Sequence, residues 1–454
     1  MKEGYLLLIA LAGVLGLLLM VIKYKVQPFV ALLLVSIFVA VASGIPIDNV
    51  VGVMTTGMGR VLGSVTMIVG LGAMLGQMIE KSGGAESMAS YFSRLLGSKR
   101  AIPALTIAAF ILGIPVFFDV GFIILAPIIY GFARVARVSP LKFGLPVAGI
   151  MLTVHVALPP HPGPVSAAGL MNADIGLLTI IGIAICIVVG VISYYASKWI
   201  NKKEYVNLLE SVLDNDVTDV TTENLDHNSQ KRSFPNPFLI AFLIITPIFL
   251  IMLGTVSNVV TDGESSIRAF FNFLGAPVIA LMIGLLLAFY FLGIRRNWSL
   301  DKISNVMGDA LPTAAVVIMV TGAGGVFGNV LVESGVGKAL SDMLTSIGLP
   351  IMLAAFLISL ALRASQGSAT VAILTTGGLL SEAMIGFSAI EIVLVTLAMC
   401  FGGLGLSHVN DSGFWIVTRY LGLSVEDGLK TWTVLTTVLG LAGFLCTWLI
   451  WALV

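Results

Sequence analysis

The chain repeats itself across a polar break. Gly70, Gly72, Gly76, Ser82 and Gly83 recur as Gly322, Gly324, Gly328, Ser334 and Gly335, a constant offset of 252 residues. After a five-residue shortening the register resumes at an offset of 247, pairing Pro103 with Pro350 and His161 with His408. The break, residues 201–234, holds 11 of the 48 charged residues, among them Asp214, Asp216, Asp219, Glu223 and Asp226. So dense a run of charge stays in water, and it reads as a linker between a first repeat, 1–200, and a second, 235–454. Whatever this chain folds into is built twice from one plan.

The plan belongs in a bilayer. The chain is 58% hydrophobic and 11% charged, whereas soluble domains carry about 25% charged residues. A zero net charge without any basic block excludes nucleic acid as a partner. Cys186, Cys400 and Cys446 all fall in apolar segments, which argues against a disulfide framework or a zinc site. Residues 5–22 lack a small-residue cleavage site, and Lys23 and Lys25 follow the apolar run instead of preceding it, so this is a first span and not a signal peptide. The apolar runs far exceed the ~10 residues of a membrane β-strand, and the fold predicted is an all-α polytopic membrane protein. At about 20 residues per crossing, the first repeat gives spans at 5–22, 27–44, 61–80, 143–170 and 174–197. The second gives 238–255, 270–292, 311–332, 390–418 and 431–453.

Each half has one further apolar piece, at 101–131 and 349–385. Arg100 and Arg134 leave 33 residues between them, too few for two crossings of about 20 residues and a turn. Gly113, Pro115, Asp119 and Gly121 stand mid-piece where a turn would fall, so a re-entrant helical hairpin is predicted, and the repeat extends it to the second half. Five spans plus a hairpin is an odd number of crossings, which inverts the second repeat. With both termini outside, 19 of the 24 basic residues collect on the inner side, against Lys2, Arg60, Arg268 and Lys338 outside and Arg363 buried. Inverted membrane repeats are the architecture of secondary transporters, whose binding site lies where the copies meet.

Four polar interruptions occur at mid-membrane depth. Two are hairpin tips, Phe118-Asp119-Val120-Gly121 and Ser365-Gln366-Gly367-Ser368-Ala369-Thr370. The others, Leu158-Pro159-Pro160-His161-Pro162-Gly163-Pro164 and Ser407-His408-Val409-Asn410-Asp411-Ser412-Gly413, fall inside spans four and nine at repeat-related positions. Prolines in that density cannot stay helical, so span four is discontinuous. Irregular backbone at this depth is tolerated only against protein or a water-filled cavity, and broken helices offer free N–H groups and a positive dipole end that hold an anion. Gly70, Gly72 and Gly76 read most simply as small residues that let helices approach. His161 alone could be a satisfied core histidine; with His408 at its repeat-related position a site role is preferred. His155 has no such counterpart, since position 402 is Gly402, and reads as structural. Asp119, an acid in a hairpin tip, is a functional candidate, with helix capping as its competing role. Arg363 either binds a carboxylate or pairs with Asp411 or Asp119.

The runs Phe118–Phe122, Leu158–Pro164, Gly367–Ala372 and Ser407–Trp415 resemble those of the gluconate:proton symporter family, and the resemblance covers essentially the whole chain. It implies a scaffold-and-transport-domain fold, elevator motion, a homodimer, and import of gluconate and related sugar acids by proton symport, with one branch of the family taking D-serine. Pro162-Gly163-Pro164 and His408-Val409-Asn410-Asp411 are more similar to the sugar-acid members. Asp119 stands where several relatives have Glu, which shortens the carboxylate's reach, and Ser365 and Gln366 replace a small apolar pair.

The activity expected is proton-driven import of a small hydroxylated carboxylate, foremost D-gluconate, across a bacterial plasma membrane, without cofactor or metal. The carboxylate is expected at Gly367, Ser368 and Thr370, with Arg363, and the hydroxyls at His161, His408, Asn410 and Asp411, which supply donors and acceptors. Asp119 and His161 are the candidate proton carriers. A sodium-coupled dicarboxylate carrier on the same fold is the nearest rival, with an oxygen cage near Asn410 and Thr370. An intramembrane metalloenzyme using His161, His408 and Asp411 is disfavoured, because neither histidine belongs to a His-x-x-x-His pair or adjoins a catalytic Glu.

Overall fold

The computed structural model describes residues 2–96, 101–136, 138–203, 234–260, 265–346, 348–409 and 411–454. Most of the linker and Asn410 lie outside the described residues. Among the described residues all regular structure is helical. The first half runs α1 (Lys2–Leu18), α2 (Pro28–Ala42), α3 (Ile47–Lys81), α4 (Gly84–Leu96), α5 (Ala101–Gly113), α6 (Phe118–Ala136), α7 (Leu141–Ala157), α8 (Pro162–Met171) and α9 (Ile175–Ile200). The second half runs α10 (Pro237–Val260), α11 (Ser266–Gly275), α12 (Pro277–Arg296), α13 (Leu300–Gly308), α14 (Leu311–Glu333), α15 (Val336–Ser346), α16 (Ile351–Gln366), α17 (Ala369–Leu380), α18 (Ala389–Leu404), α19 (Ser412–Tyr420) and α20 (Val425–Trp451).

Among the described residues seven helical stretches are long and apolar enough to cross a bilayer: α3, α7 with α8, α9, α10, α12, α14 and α20. The spans predicted at 5–22, 27–44 and 390–418 are filled by α1, α2 and the broken pair α18–α19, each shorter as a single rod. Two boundaries need correction. The span predicted at 61–80 begins at Ile47 and makes a helix of 35 residues, about 50 Å long at 1.5 Å per residue. Asp48, Asn49, Thr55, Thr56 and Arg60 dilute its hydropathy without breaking its backbone pattern. The span predicted at 270–292 is cut at Ala276, which is extended before Pro277; a residue preceding proline avoids the α region, and Pro277 opens α12 at the one position where its missing N–H costs nothing.

α5 and α6 form a hairpin around residues 114–117, and α16 and α17 form another around Gly367, which takes φ +75° as left-handed cap of α16. α5 has 13 residues and α17 has 12, so one arm of each hairpin is about 20 Å and falls short of the ~30 Å hydrocarbon layer. Span four breaks at Leu158, where the helix meets Pro159 and Pro160, and resumes with Pro162 at the start of α8. Span nine breaks between Leu404 and Ser412.

The hairpins and broken helices assemble together: α5 and α6 lie on α7, α16 on α18, α17 on α8, and α19 on α6. The longest interface elsewhere is α3 along α14, with α2 and α12 beside it. A methyl group on Gly57 would lie 2.6 Å from the Gly325 carbonyl oxygen, so the α3–α14 crossing depends on small residues, and Asn329 Nδ2 adds a bond to Val53 O at 2.9 Å. The same logic joins the two assemblies. Gly72 faces Pro160, Gly76 faces the Pro115 carbonyl at the first hairpin tip, and Gly328 lies against Gly378 of α17.

Candidate functional site

Four helices begin at one place. α6 starts at Phe118, α8 at Pro162, α17 at Ala369 and α19 at Ser412, and residues from all four N-termini line a single cleft of about 260 Å³. The first hairpin contributes Phe117, Phe118, Asp119 and Val120, and the second contributes Arg363 and Gly367 to Thr370. Leu152 and His155 come from α7, Pro162 from α8, and Asp411, Ser412 and Gly413 from α19. The starts of α6, α17 and α19 present unpaired N–H groups, the start of α8 offers fewer because Pro162 and Pro164 have none, and each carries a partial positive charge of about half a unit. Ser368 and Asp411 cap two of these helices, accepting from Val371 N at 3.3 Å and Gly413 N at 3.1 Å.

Arg363 and Asp411 form the fixed centre of the wall. Both are buried, and one Arg363 nitrogen pairs with Asp411 Oδ2 while the other donates to Gly367 O at 2.9 Å. Ser407 Oγ also donates to Asp411 Oδ2 and itself receives Trp432 Nε1 at 2.8 Å. This chain of contacts runs from α20 through the broken loop of span nine to the tip of the second hairpin. It commits the arginine to its structural partner, although its Nε finds no acceptor among the described residues. The side chain of Asp119 is exposed to the cleft, and with Arg363 and Asp411 paired it is the formal charge on the lining that no salt bridge neutralises among the described residues.

The two repeat-related histidines stand behind the lining and not on it. His161 Nε2 lies 2.6 Å from Gly113 O, the last carbonyl of α5. His408 Nε2 lies 2.7 Å from Ala364 O, in the last turn of α16. A carbonyl only accepts, so each ring carries its proton on Nε2 and ties a broken loop to the first arm of the hairpin beside it. Of the residues singled out in the sequence, the structure thus brings Asp119, Arg363, Gly367, Ser368, Thr370 and Asp411 together around the cleft, sets His161 and His408 in the layer supporting it, and leaves Asn410 outside the described residues.

His155, read as structural, is on the cleft wall. Its ring touches that of His161, with centroids 4.3 Å apart, and Phe117 of the hairpin tip lies 5.9 Å and 6.0 Å from the two. Nothing in the sequence flags it, because its position depends on how α7 is rotated about its own axis. Taken together, the cleft has a positive backbone field, hydroxyls at Ser368, Thr370 and Ser412, one uncompensated carboxyl and an apolar side formed by Phe117, Leu152 and Pro162. That combination suits a small anion carrying both hydroxyl and C–H surface.

Comparison with known proteins agrees with a membrane carrier. The family model described as GntP family permease matches residues 5–454. The inner membrane permease YgbN of Escherichia coli is 68% identical over 99% of this chain and 99% of its own length. A gluconate permease of Pseudomonas aeruginosa is 34% identical over 97% of this chain and 96% of its own. Among solved structures, the YdaH transporter of Alcanivorax borkumensis shares the fold with a TM-score of 0.61 at 15% identity, covering 93% of this chain and 97% of that one.

Proposed function

The chain belongs to the GntP family of permeases, and on that premise we propose that it imports gluconate or a closely related sugar acid together with protons. The single observation carrying this reading is the convergence of four helix N-termini on one polar cleft. Oriented peptide dipoles favour a carboxylate over a neutral or cationic solute. The carboxylate docks at the Gly367–Thr370 turn, and the hydroxyls turn toward Ser412, Thr370 and the Asp411 loop. Asn410, in that loop, joins them as a hydroxyl partner.

Proton coupling follows from the charge on the lining. An anion entering beside an ionised Asp119 is repelled, so a proton on that carboxyl and the anion bind cooperatively, and linkage makes the effect reciprocal. Asp119 is the carrier in this reading, while His161 and His408 hold the hairpins. Loading with a proton also limits the net charge that must move through the bilayer.

From the long helix onward the element order of the first half, a long helix, a short helix, a hairpin, a broken helix and a final span (α3 to α9), recurs in the second as α14 to α20, which supports two inverted repeats, 1–200 and 235–454, joined by the 201–234 linker. The division between the hairpin assembly and the α3–α14 assembly supports a transport domain moving against a scaffold as an elevator. The protein would work as a homodimer in the bacterial inner membrane with both termini outside.

Proteoliposomes containing the purified protein test the reading. Labelled gluconate should accumulate when the lumen is alkaline relative to the medium, in sodium-free buffer. Accumulation that follows a sodium gradient and ignores pH would replace protons by sodium, and uptake of D-serine in preference to sugar acids would replace the substrate.

A further inference from the structure

We propose that His155 is the residue that reads the hydroxyl pattern of the substrate, a specificity-determining contact distinct from the groups that hold the carboxylate. The proposal rests on the reading of the cleft as a site for polyhydroxylated acids. Three histidines stand near the site, and two have their Nε2 nitrogens committed to backbone carbonyls, His161 to Gly113 and His408 to Ala364. His155 differs from both. It lines the cleft, and among the described residues its buried Nδ1 has no hydrogen-bond partner. Buried polar nitrogens in folded proteins are almost always bonded, so an imidazole that meets the cleft with hydrogen-bonding capacity left over is matched to a group that arrives with the ligand.

Its chemistry fits a hydroxyl better than a carboxylate. A neutral imidazole offers one donor and one acceptor, and an alcohol is both at once. The carboxylate is served elsewhere, by the helix N-termini across the cleft. Its neighbours also suit a polyol. Leu152, Phe117 and Pro162 adjoin His155 on the lining and give C–H groups of the chain an apolar surface, so that one hydroxyl at a time meets the ring. The ring does not need to search for its pose, because His161 and Phe117 pack against it with centroids 4.3 Å and 5.9 Å away. A donor held in place before binding discriminates more sharply than a mobile one, since less order is lost on association. A site built to bond a hydroxyl then rejects an analogue lacking it, because its own polar group is left unpaired.

The test uses the purified full-length protein and calorimetry with two probes, D-gluconate and hexanoate, the same carbon chain without hydroxyls. The parent should prefer gluconate strongly. His155→Leu should weaken gluconate by about tenfold to a hundredfold and leave hexanoate nearly unchanged, collapsing the preference. His155→Gln, which keeps a donor and an acceptor, should restore part of it. A second measurement does not depend on the leucine variant folding: in a Cys446→Ser background, His155→Cys should react with a small polar thiol reagent, and gluconate should protect it. Intact preference in folded His155→Leu, or a His155→Cys thiol that gluconate does not protect, would overturn this assignment alone. Failure of the parent to bind gluconate or any other polyhydroxy acid would overturn the functional reading, and the assignment with it.

Discussion

Arg363 and Asp411, 48 residues apart in sequence, form an ion pair whose side chains are only 3% and 6% exposed. The pair joins the first arm of the second hairpin to the loop that interrupts span nine. Breaking a buried pair by removing one partner leaves the other charge desolvated, at about 3–5 kcal/mol. Arg363→Ala should therefore lower the Tm of the detergent-purified protein substantially, and Asp411→Ala should do the same. The double variant should recover part of the loss, because neither charge is then stranded. Single variants that melt with the parent would show that the pair contributes little to the fold.

His161 should behave as a brace and not as a ligand. His161→Phe keeps the aromatic packing against His155 and Phe117 but deprives Gly113 O of its donor, at about 1–3 kcal/mol for a buried acceptor left bare. The expected result is a lower Tm and slower transport, with calorimetric gluconate affinity near the parent's. Loss of binding at an unchanged Tm would return His161 to the substrate.

Two glycines of the repeated motif should part company on substitution. A methyl group on Gly76 would collide with the Pro115 carbonyl at the hairpin tip, whereas one on Gly70 meets nothing within 4 Å. Gly76→Ala should cost about 1–3 kcal/mol of strain and impair transport. Gly70→Ala should be neutral or stabilising, since alanine is favoured over glycine in a helix by about 1 kcal/mol. Equal effects of the two on Tm and uptake would refute the close approach of α3 to the first hairpin.

Asp119→Asn removes the titrating group from the lining with nearly unchanged shape. The variant should bind gluconate and exchange it across proteoliposome membranes, yet fail to accumulate it when a proton gradient is imposed. Accumulation at the parent's level would sink Asp119 as the proton carrier.

The breaks in the backbone were legible because they are written in residues with few alternatives. The prolines from Pro159 to Pro164 forbid a continuous helix, and the short distance between Arg100 and Arg134 forbids two crossings. Positions that depend on rotation or reach were not legible. His161 and His408 are paired in sequence and both near the site, but the sequence does not say which side of a broken loop a ring faces. The same ambiguity hid His155, which lies on a helix buried along nearly its whole length, where apolar periodicity carries no direction. The extra turns of α3 were masked for a different reason. A helix running beyond the ~30 Å apolar layer accepts polar residues at its end, so hydropathy stops before the backbone does.

The meeting of four helix N-termini has a consequence for how such a protein can diverge. In the proposed reading peptide groups supply attraction for negative charge, and among point substitutions only one to proline removes an N–H. Preference for acids is thereby insulated from mutation, while the wall that touches the remainder of the solute is free to vary. A lineage built on this arrangement can exchange one organic acid for another in a few steps, and would have to rebuild its backbone to carry anything else.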